Sequence, residues 1–244
     1  MSALLEARGV TVRFGGLTAL SEIAFAVRAG EVLSVIGPNG AGKTTLFNVI
    51  TGRVRPTAGE VMLRGQNLTR LPAFRAAQLG VVRTFQKTEV FGELPLVEGV
   101  AAGALARDDP DPPARAREAL ATVGLAPKAH LAAHQLSYGD QRLLELAQAL
   151  AANPAVLLLD EPASGMNHQE STHIMRVIAD LRTRGLAIML VEHNMHVVMN
   201  ISDRVMVINY GKKIAEGTPE HVRNDPQVIE AYLGVPHADD AVAS

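Results

Sequence analysis

The sequence predicts an α/β fold: a mostly parallel sheet with covering helices, preceded by an antiparallel strand layer and interrupted by a helical insertion. Three observations carry this expectation. Short apolar runs at 31–36, 155–159 and 187–191 have the length and near-continuous hydrophobicity of strands covered on both faces. Helical patterns at 45–51 and 169–184 alternate with those runs, as parallel connections require. The first third differs, with partly alternating apolar and polar residues at 4–14 and 23–27, the mark of antiparallel strands with one covered face.

Taken in order, the run at 31–36 ends in Gly37 and passes through a Gly-rich loop into the helix at 45–51. Short strands are expected at 60–63 and 81–83. From Pro95 to about His134 the chain is rich in alanine and is read as a helical insert of approximately 95–153, with the run Asp108-Asp109-Pro110-Asp111-Pro112-Pro113 as a break. A helix at 115–123 stops at Gly124, and another, just after Ser137 and Gly139, reaches about Ala152. The strand at 155–159 is followed by the helix at 169–184, which Gly185 ends, and by the strand at 187–191. Strands at 204–209 and 212–216 flank Tyr210-Gly211 as a hairpin, and a short helix covers 226–233. One domain is expected over 1–236, with a frayed tail at 237–244.

The chain has 244 residues, 48% hydrophobic and 20% charged, a globular composition with enough length for a sizeable core. Lys and Arg number 23 against 25 Asp and Glu, and this near balance argues against a dedicated nucleic-acid binder. There is no cysteine, which excludes disulfides and thiolate metal sites. No basic region followed by a long apolar run opens the sequence, so no signal peptide is expected. No stretch approaches the roughly 18 apolar residues of a membrane helix. Any membrane role is expected to be peripheral.

Gly37-Pro38-Asn39-Gly40-Ala41-Gly42-Lys43-Thr44 matches G-x-x-x-x-G-K-[ST] between a strand and a helix. Glycines let the backbone come close to phosphate, and successive N–H groups then converge at a helix N-terminus. Lys43 is placed to bridge the β- and γ-phosphates and the Thr44 hydroxyl to ligate Mg²⁺. A chance Gly-rich turn is the competing account, and the strand–loop–helix context opposes it. Val156-Leu157-Leu158-Leu159 ends in Asp160-Glu161. The C-terminal end of a parallel strand borders the ligand crevice, so Asp160 is expected to hold Mg²⁺ through water and Glu161 to polarise the attacking water. Two acids can also simply end a strand; the upstream loop favours the chemical role.

Leu136-Ser137-Tyr138-Gly139-Asp140-Gln141-Arg142 resembles the signature of ABC ATPases, LSGGQ, in an LSYG-x-QR form. Ser137 and Gly139 precede a helix, a second place where an anion can meet free N–H groups, although an ordinary Ser-capped helix start has the same look. The resemblance implies a P-loop NTPase core with an antiparallel β subdomain and an inserted α-helical subdomain, using ATP and Mg²⁺. It places the phosphates among Gly37 to Thr45, Thr45 included, and sets Ser137, Gly139 and Gln141 against the nucleotide of an opposite subunit, so that two chains sandwich two ATP head to tail. It assigns adenine stacking to Phe14, catalytic roles to Lys43, Gln86, Glu161 and His193, and Mg²⁺ contact to Thr44, Gln86 and Asp160. Ser164-Gly165-Met166-Asn167 resembles the loop that touches the partner, with Asn167 in place of the commoner Asp. His196 follows His193 closely, but without further ligands the pair is not expected to bind metal.

Several stretches are similar to the larger ATPase subunit of branched-chain amino acid importers: Phe14-Gly15-Gly16-Leu17-Thr18-Ala19-Leu20, Val82-Arg83-Thr84-Phe85-Gln86, Val191-Glu192-His193-Asn194-Met195 and Gly217-Thr218-Pro219-Glu220. The resemblance implies a second ATPase subunit, identical or not, two integral permease subunits, an external substrate-binding protein and a position at the cytoplasmic face of the membrane. The insert between Ala101 and Leu136 is shorter than in many relatives. Urea or short-chain amide uptake and an ABC exporter remain open. A soluble ABC ATPase is opposed by the single cassette without sustained heptads, and a non-catalytic regulator by the presence of both Glu161 and His193.

Overall fold

The computed structural model of the chain describes residues 3–84 and 93–233. The strands run, in chain order, β1 (Leu5–Phe14), β2 (Leu17–Val27), β3 (Val32–Ile36), β4 (Ala58–Leu63), β5 (Gln66–Asn67), β6 (Val81–Arg83), β7 (Val156–Asp160), β8 (Ala187–Val191), β9 (Arg204–Asn209) and β10 (Lys212–Gly217). The helices are α1 (Lys43–Ile50), α2 (Ala73–Leu79), α3 (Leu96–Leu105), α4 (Pro112–Thr122), α5 (Tyr138–Ala151), α6 (His168–Thr183), α7 (Met195–Ile201), α8 (Pro219–Arg223) and α9 (Pro226–Leu233).

Two sheets result. One is antiparallel, in the order β2-β1-β4-β5; the other has the order β10-β9-β3-β8-β7-β6, parallel from β9 through β6 and closed at one edge by the antiparallel β10. The imperfect alternation of β1 has a structural cause. Leu5 and Ala7 are buried, the register slips by a bulge around Gly9 at φ 60°, and burial resumes at Val10 and Val12. Strand β2 begins six residues before the expected 23; Leu17, Thr18 and Glu22 are exposed and Leu20 is the one buried residue of this stretch, too little for an alternating face to show.

The large sheet separates two apolar layers. Leu33, Val35, Leu158, Met189 and Val191 face the antiparallel sheet and α1, together with Phe47 and Ile50. Val32, Leu157, Leu159, Ile188 and Leu190 face the other way, onto α3, α4, α5 and α6. This two-sided burial is why these strands carry continuous rather than alternating hydrophobicity. Each such side chain contributes about 1.5–3 kcal/mol by leaving water. A smaller cluster of Ile36, Val198, Val205, Val207, Val222 and Val228 seats α7, α8 and α9 on β9.

The proline run at 108–113 is more than a break. Asp111 caps α4 by accepting the Ala114 N–H at 3.0 Å, and Pro112 and Pro113 are its first residues, where their missing N–H costs nothing. The helix therefore starts earlier than its expected 115. Tyr210 and Gly211 turn the β9–β10 hairpin with φ of 45° and 74°, the twist that a two-residue connection demands. Helices α2, α7 and α8 fall where no helix was expected; each has five to seven residues, too short to show a periodic face.

Candidate active site

The C-terminal ends of β3, β8 and β7 are neighbours in the sheet, and each delivers one piece of a common site. From β3 the chain enters the loop 37–42 and then α1. Gly37 is required by space, since a Cβ there would stand 1.9 Å from the Ile208 carbonyl oxygen. Gly42 is left-handed at φ 112°, and its Cβ would stand 2.8 Å from the Ala19 carbonyl oxygen. The loop thus lies pressed between β9 and β2, with Asn39, Gly40 and Thr44 exposed, Pro38 and Thr45 partly so, and Ala41 buried. The Lys43 ammonium donates to the carbonyls of Gly37 at 2.6 Å and Pro38 at 3.0 Å. Burial holds its pKa below the ordinary lysine value, while the charges of Glu161 and Asp160 pull it back up. Those two carboxylates are therefore close enough to act on Lys43. On α9, the Tyr232 hydroxyl accepts the Gly37 N–H, and burial pushes that hydroxyl's pKa up.

Strand β7 delivers the acids. Asp160 is buried, and its Oδ2 accepts from Arg83 Nη2 at 2.6 Å. Arg83 stands at the end of β6; its other amine donates to Asn48 at 2.7 Å, and its guanidinium lies 5.4 Å from the Phe47 ring centroid. Glu161 follows with φ 49°, a left-handed conformation unusual for a residue with a side chain. It turns the carboxylate away from the strand and toward the end of β8. There His193 Nδ1 stands 3.7 Å from Glu161 Oε1, with His193 itself exposed.

Between these two strand ends lies Glu192, buried to 2% exposure. Its Oε1 accepts from the Ala163 N–H at 3.3 Å, and its Oε2 from the N–H groups of His193 at 3.2 Å and Asn194 at 3.5 Å. One carboxylate thereby ties the loop after Glu161 to the loop that carries His193. Burial pushes its pKa above the usual carboxylate value, against the backbone donors and the charge of His193.

The other expected residues lie apart from this centre. Ser137 caps α5, its Oγ accepting the Asp140 N–H at 3.2 Å, and remains exposed beside the buried Gly139. Gln141 points back along its own loop, donating to the carbonyls of Ala133 at 3.4 Å and Leu136 at 3.3 Å. Phe14, at the tip of the β1–β2 ribbon, is 52% exposed. Gln86 lies outside the described residues. Arg83, Glu192 and Tyr138 were not singled out for a role by the sequence reading. Most of their partners come from distant parts of the chain, and only in Arg83, a charge ending an otherwise apolar strand, was there a signal to follow.

Comparison with known proteins decides the family. Residues 20–164, more than half the chain, match the family described as "ABC transporter", and residues 212–238 match "Branched-chain amino acid ATP-binding cassette transporter". The high-affinity branched-chain amino acid transport ATP-binding protein LivG of Escherichia coli is 43% identical, with 95% of this chain and 98% of that one covered. The chain belongs to the ABC transporter ATP-binding proteins, branched-chain amino acid type. The lipopolysaccharide export system ATP-binding protein LptB of Haemophilus influenzae is 34% identical over 95% of this chain and 98% of its own. A crystal structure of a nucleotide-free ATP-binding cassette from an ABC transporter shares the fold at a TM-score of 0.88, with 28% identity over 96% of this chain and 100% of that one. As an ABC ATPase the chain binds nucleotide and couples ATP hydrolysis to transport. Among the described residues no helix is long and apolar enough to cross a membrane.

Proposed function

We propose that the chain powers an ABC importer for branched-chain or other hydrophobic amino acids, as one member of a head-to-tail ATPase pair at the cytoplasmic face of the membrane. The observation that carries the catalytic part is the convergence of Lys43, Glu161 and His193 from three adjacent parallel strand ends, with Glu161 and His193 3.7 Å apart. The match of 212–238 to the branched-chain amino acid type and the relation to LivG support the substrate class. The relation to LptB keeps export as the second reading. The partners in this proposal are a second ATPase subunit, two integral permeases and, indirectly, an external substrate-binding protein. A single unit over 1–236 is part of the same proposal.

In this reading the loop 37–42 and the start of α1 receive the phosphates on their N–H groups, with Thr45 in the first turn. Lys43 turns from the Gly37 and Pro38 carbonyls to the β- and γ-phosphates, whose charge favours the protonated amine. Phe14 offers an aromatic face to adenine. Glu161 takes a proton from the attacking water and His193 holds the γ-phosphate, so that the water oxygen bonds to phosphorus as the bond from phosphorus to the β-phosphate oxygen breaks and ADP leaves. Ser137 and Gly139 meet the γ-phosphate held by the opposite subunit, and Gln141 braces the loop that presents them. Gln86 completes the expected set. Asp160 and Thr44 are hard oxygen donors and suit Mg²⁺, which takes one or two protein oxygens besides phosphate oxygens. Held by these residues, Mg²⁺ would supply positive charge to offset that of the phosphates.

Replacing Glu161 with Gln tests the core of this reading. Hydrolysis is expected to fall about 10²–10⁴-fold with ATP still bound, and gel filtration with ATP is expected to show a trapped dimer. Unchanged turnover in the variant would remove Glu161 from the role of base.

A further inference from the structure

We propose that Tyr138 is a positioning residue that couples the two ATP sites of the pair through the body of one subunit. The inference rests on the reading above that Ser137 and Gly139 face the partner's nucleotide while Glu161 faces the subunit's own.

Tyr138 takes the place of the first glycine of the LSGGQ pattern, directly after the cap residue Ser137. Its hydroxyl donates to the Ser164 carbonyl at 2.9 Å, across from α5 to the loop that follows Glu161. The same hydroxyl accepts from Arg142 Nε at 3.1 Å, and the Arg142 guanidinium lies 5.4 Å from the tyrosine ring centroid. Arg142 is buried and also ion-paired with Glu145 at 3.0 Å, so the donor that aims the phenol is itself fixed. Ser164 stands one tight turn from Glu161, its N–H donating to the Glu161 carbonyl at 3.0 Å.

Two glycines make room for this junction. A Cβ on Gly165, which is left-handed at φ 75°, would lie 3.0 Å from the Tyr138 hydroxyl. A Cβ on Gly139 would lie 2.6 Å from Glu170 Oε1, at the start of α6. The start of α5 is therefore met at two points, by the loop 161–167 through Tyr138 and Ser164 and by the first turn of α6 through Gly139 and Glu170. A displacement of Glu161 on loss of its γ-phosphate passes along the turn to Ser164, through the phenol to the first turn of α5, and so to Ser137 and Gly139. Those residues hold the other ATP. The coupling is a property of one chain and adds to contacts made across the interface.

The test is Tyr138→Phe in the full chain, measured in the detergent-solubilised transporter complex. The ring and its packing stay; the donation to Ser164 goes. Wild-type hydrolysis is expected to be cooperative in ATP. The variant is expected to lose that cooperativity and about tenfold in turnover, with unchanged nucleotide affinity of the isolated chain. A role confined to stability would lower the melting temperature and leave cooperativity intact. Gly165→Ala, which keeps the hydroxyl but crowds it, is expected to give the same loss. Normal cooperativity in both variants overturns the proposal. Non-cooperative hydrolysis in the wild type, together with a Glu161→Gln chain that stays monomeric in ATP, overturns the head-to-tail reading instead and takes this inference with it.

Discussion

Glu192 is a buried carboxylate that bridges two loops by accepting backbone N–H groups from both. Its raised pKa has a definite consequence for stability. The folded chain holds this proton more tightly than the unfolded chain does, so stability falls as pH rises from the reference value of 4.5 through the raised folded value. Glu192→Gln is expected to remove that part of the pH dependence, so that the melting temperature of the wild type drops relative to the variant as pH rises from 4.5 through the raised folded value. A constant difference between the two across that range would count against it. The variant also presents an amide donor to N–H donors on one side, so the tie between Ala163 and His193 loosens and hydrolysis is expected to slow. At this scale the sequence exposes groups whose role depends on local spacing, such as Lys43 after its glycines. It conceals groups such as Arg83, whose partners Asn48 and Asp160 lie on other elements.

The elements follow from local rules wherever caps and periodicity are complete. Helix α6 is the clearest case. Asn167 accepts the N–H groups of Gln169 at 2.9 Å and Glu170 at 3.0 Å, while Glu170 reaches back to the Asn167 N–H at 3.1 Å. Asn167, in the loop that resembles a partner-touching one, thus has its side-chain oxygen engaged in a capping box. Asn167→Ala is expected to cost about 1 kcal/mol, seen as a fall of about 2–4 °C in melting temperature by calorimetry. Asn167→Asp keeps the acceptor and is expected to keep the stability; an equal loss in both would mean that the cap is not what Asn167 supplies. Strands β3, β7 and β8 were legible because burial on both faces leaves a continuous apolar run. Helices α2, α7 and α8 were not, because one or two turns give no period to recognise.

For the whole molecule, the two apolar layers around one sheet fix where the chemistry lies, at the C-terminal ends of the parallel strands, with α5 and its exposed Ser137 to one side. The transporter assignment is tested by solubilising native membranes and identifying what co-purifies with the chain. Two integral subunits and a second ATPase are expected. A single membrane-subunit type would favour the export reading, and soluble partners alone would overturn the membrane role. The amino-acid sequence by itself determined the α/β class, the phosphate loop, the paired acids and the family resemblance, because each depends on neighbours a few residues apart. The tertiary structure alone decided that Arg83 pairs with Asp160, that Glu192 joins two loops, that Tyr138 bonds to Ser164 and that Gln141 turns back on its own loop. Those contacts join segments from separate elements, or depend on the direction a side chain takes once its helix is packed, and neither is set until the sheet and the helices have come together.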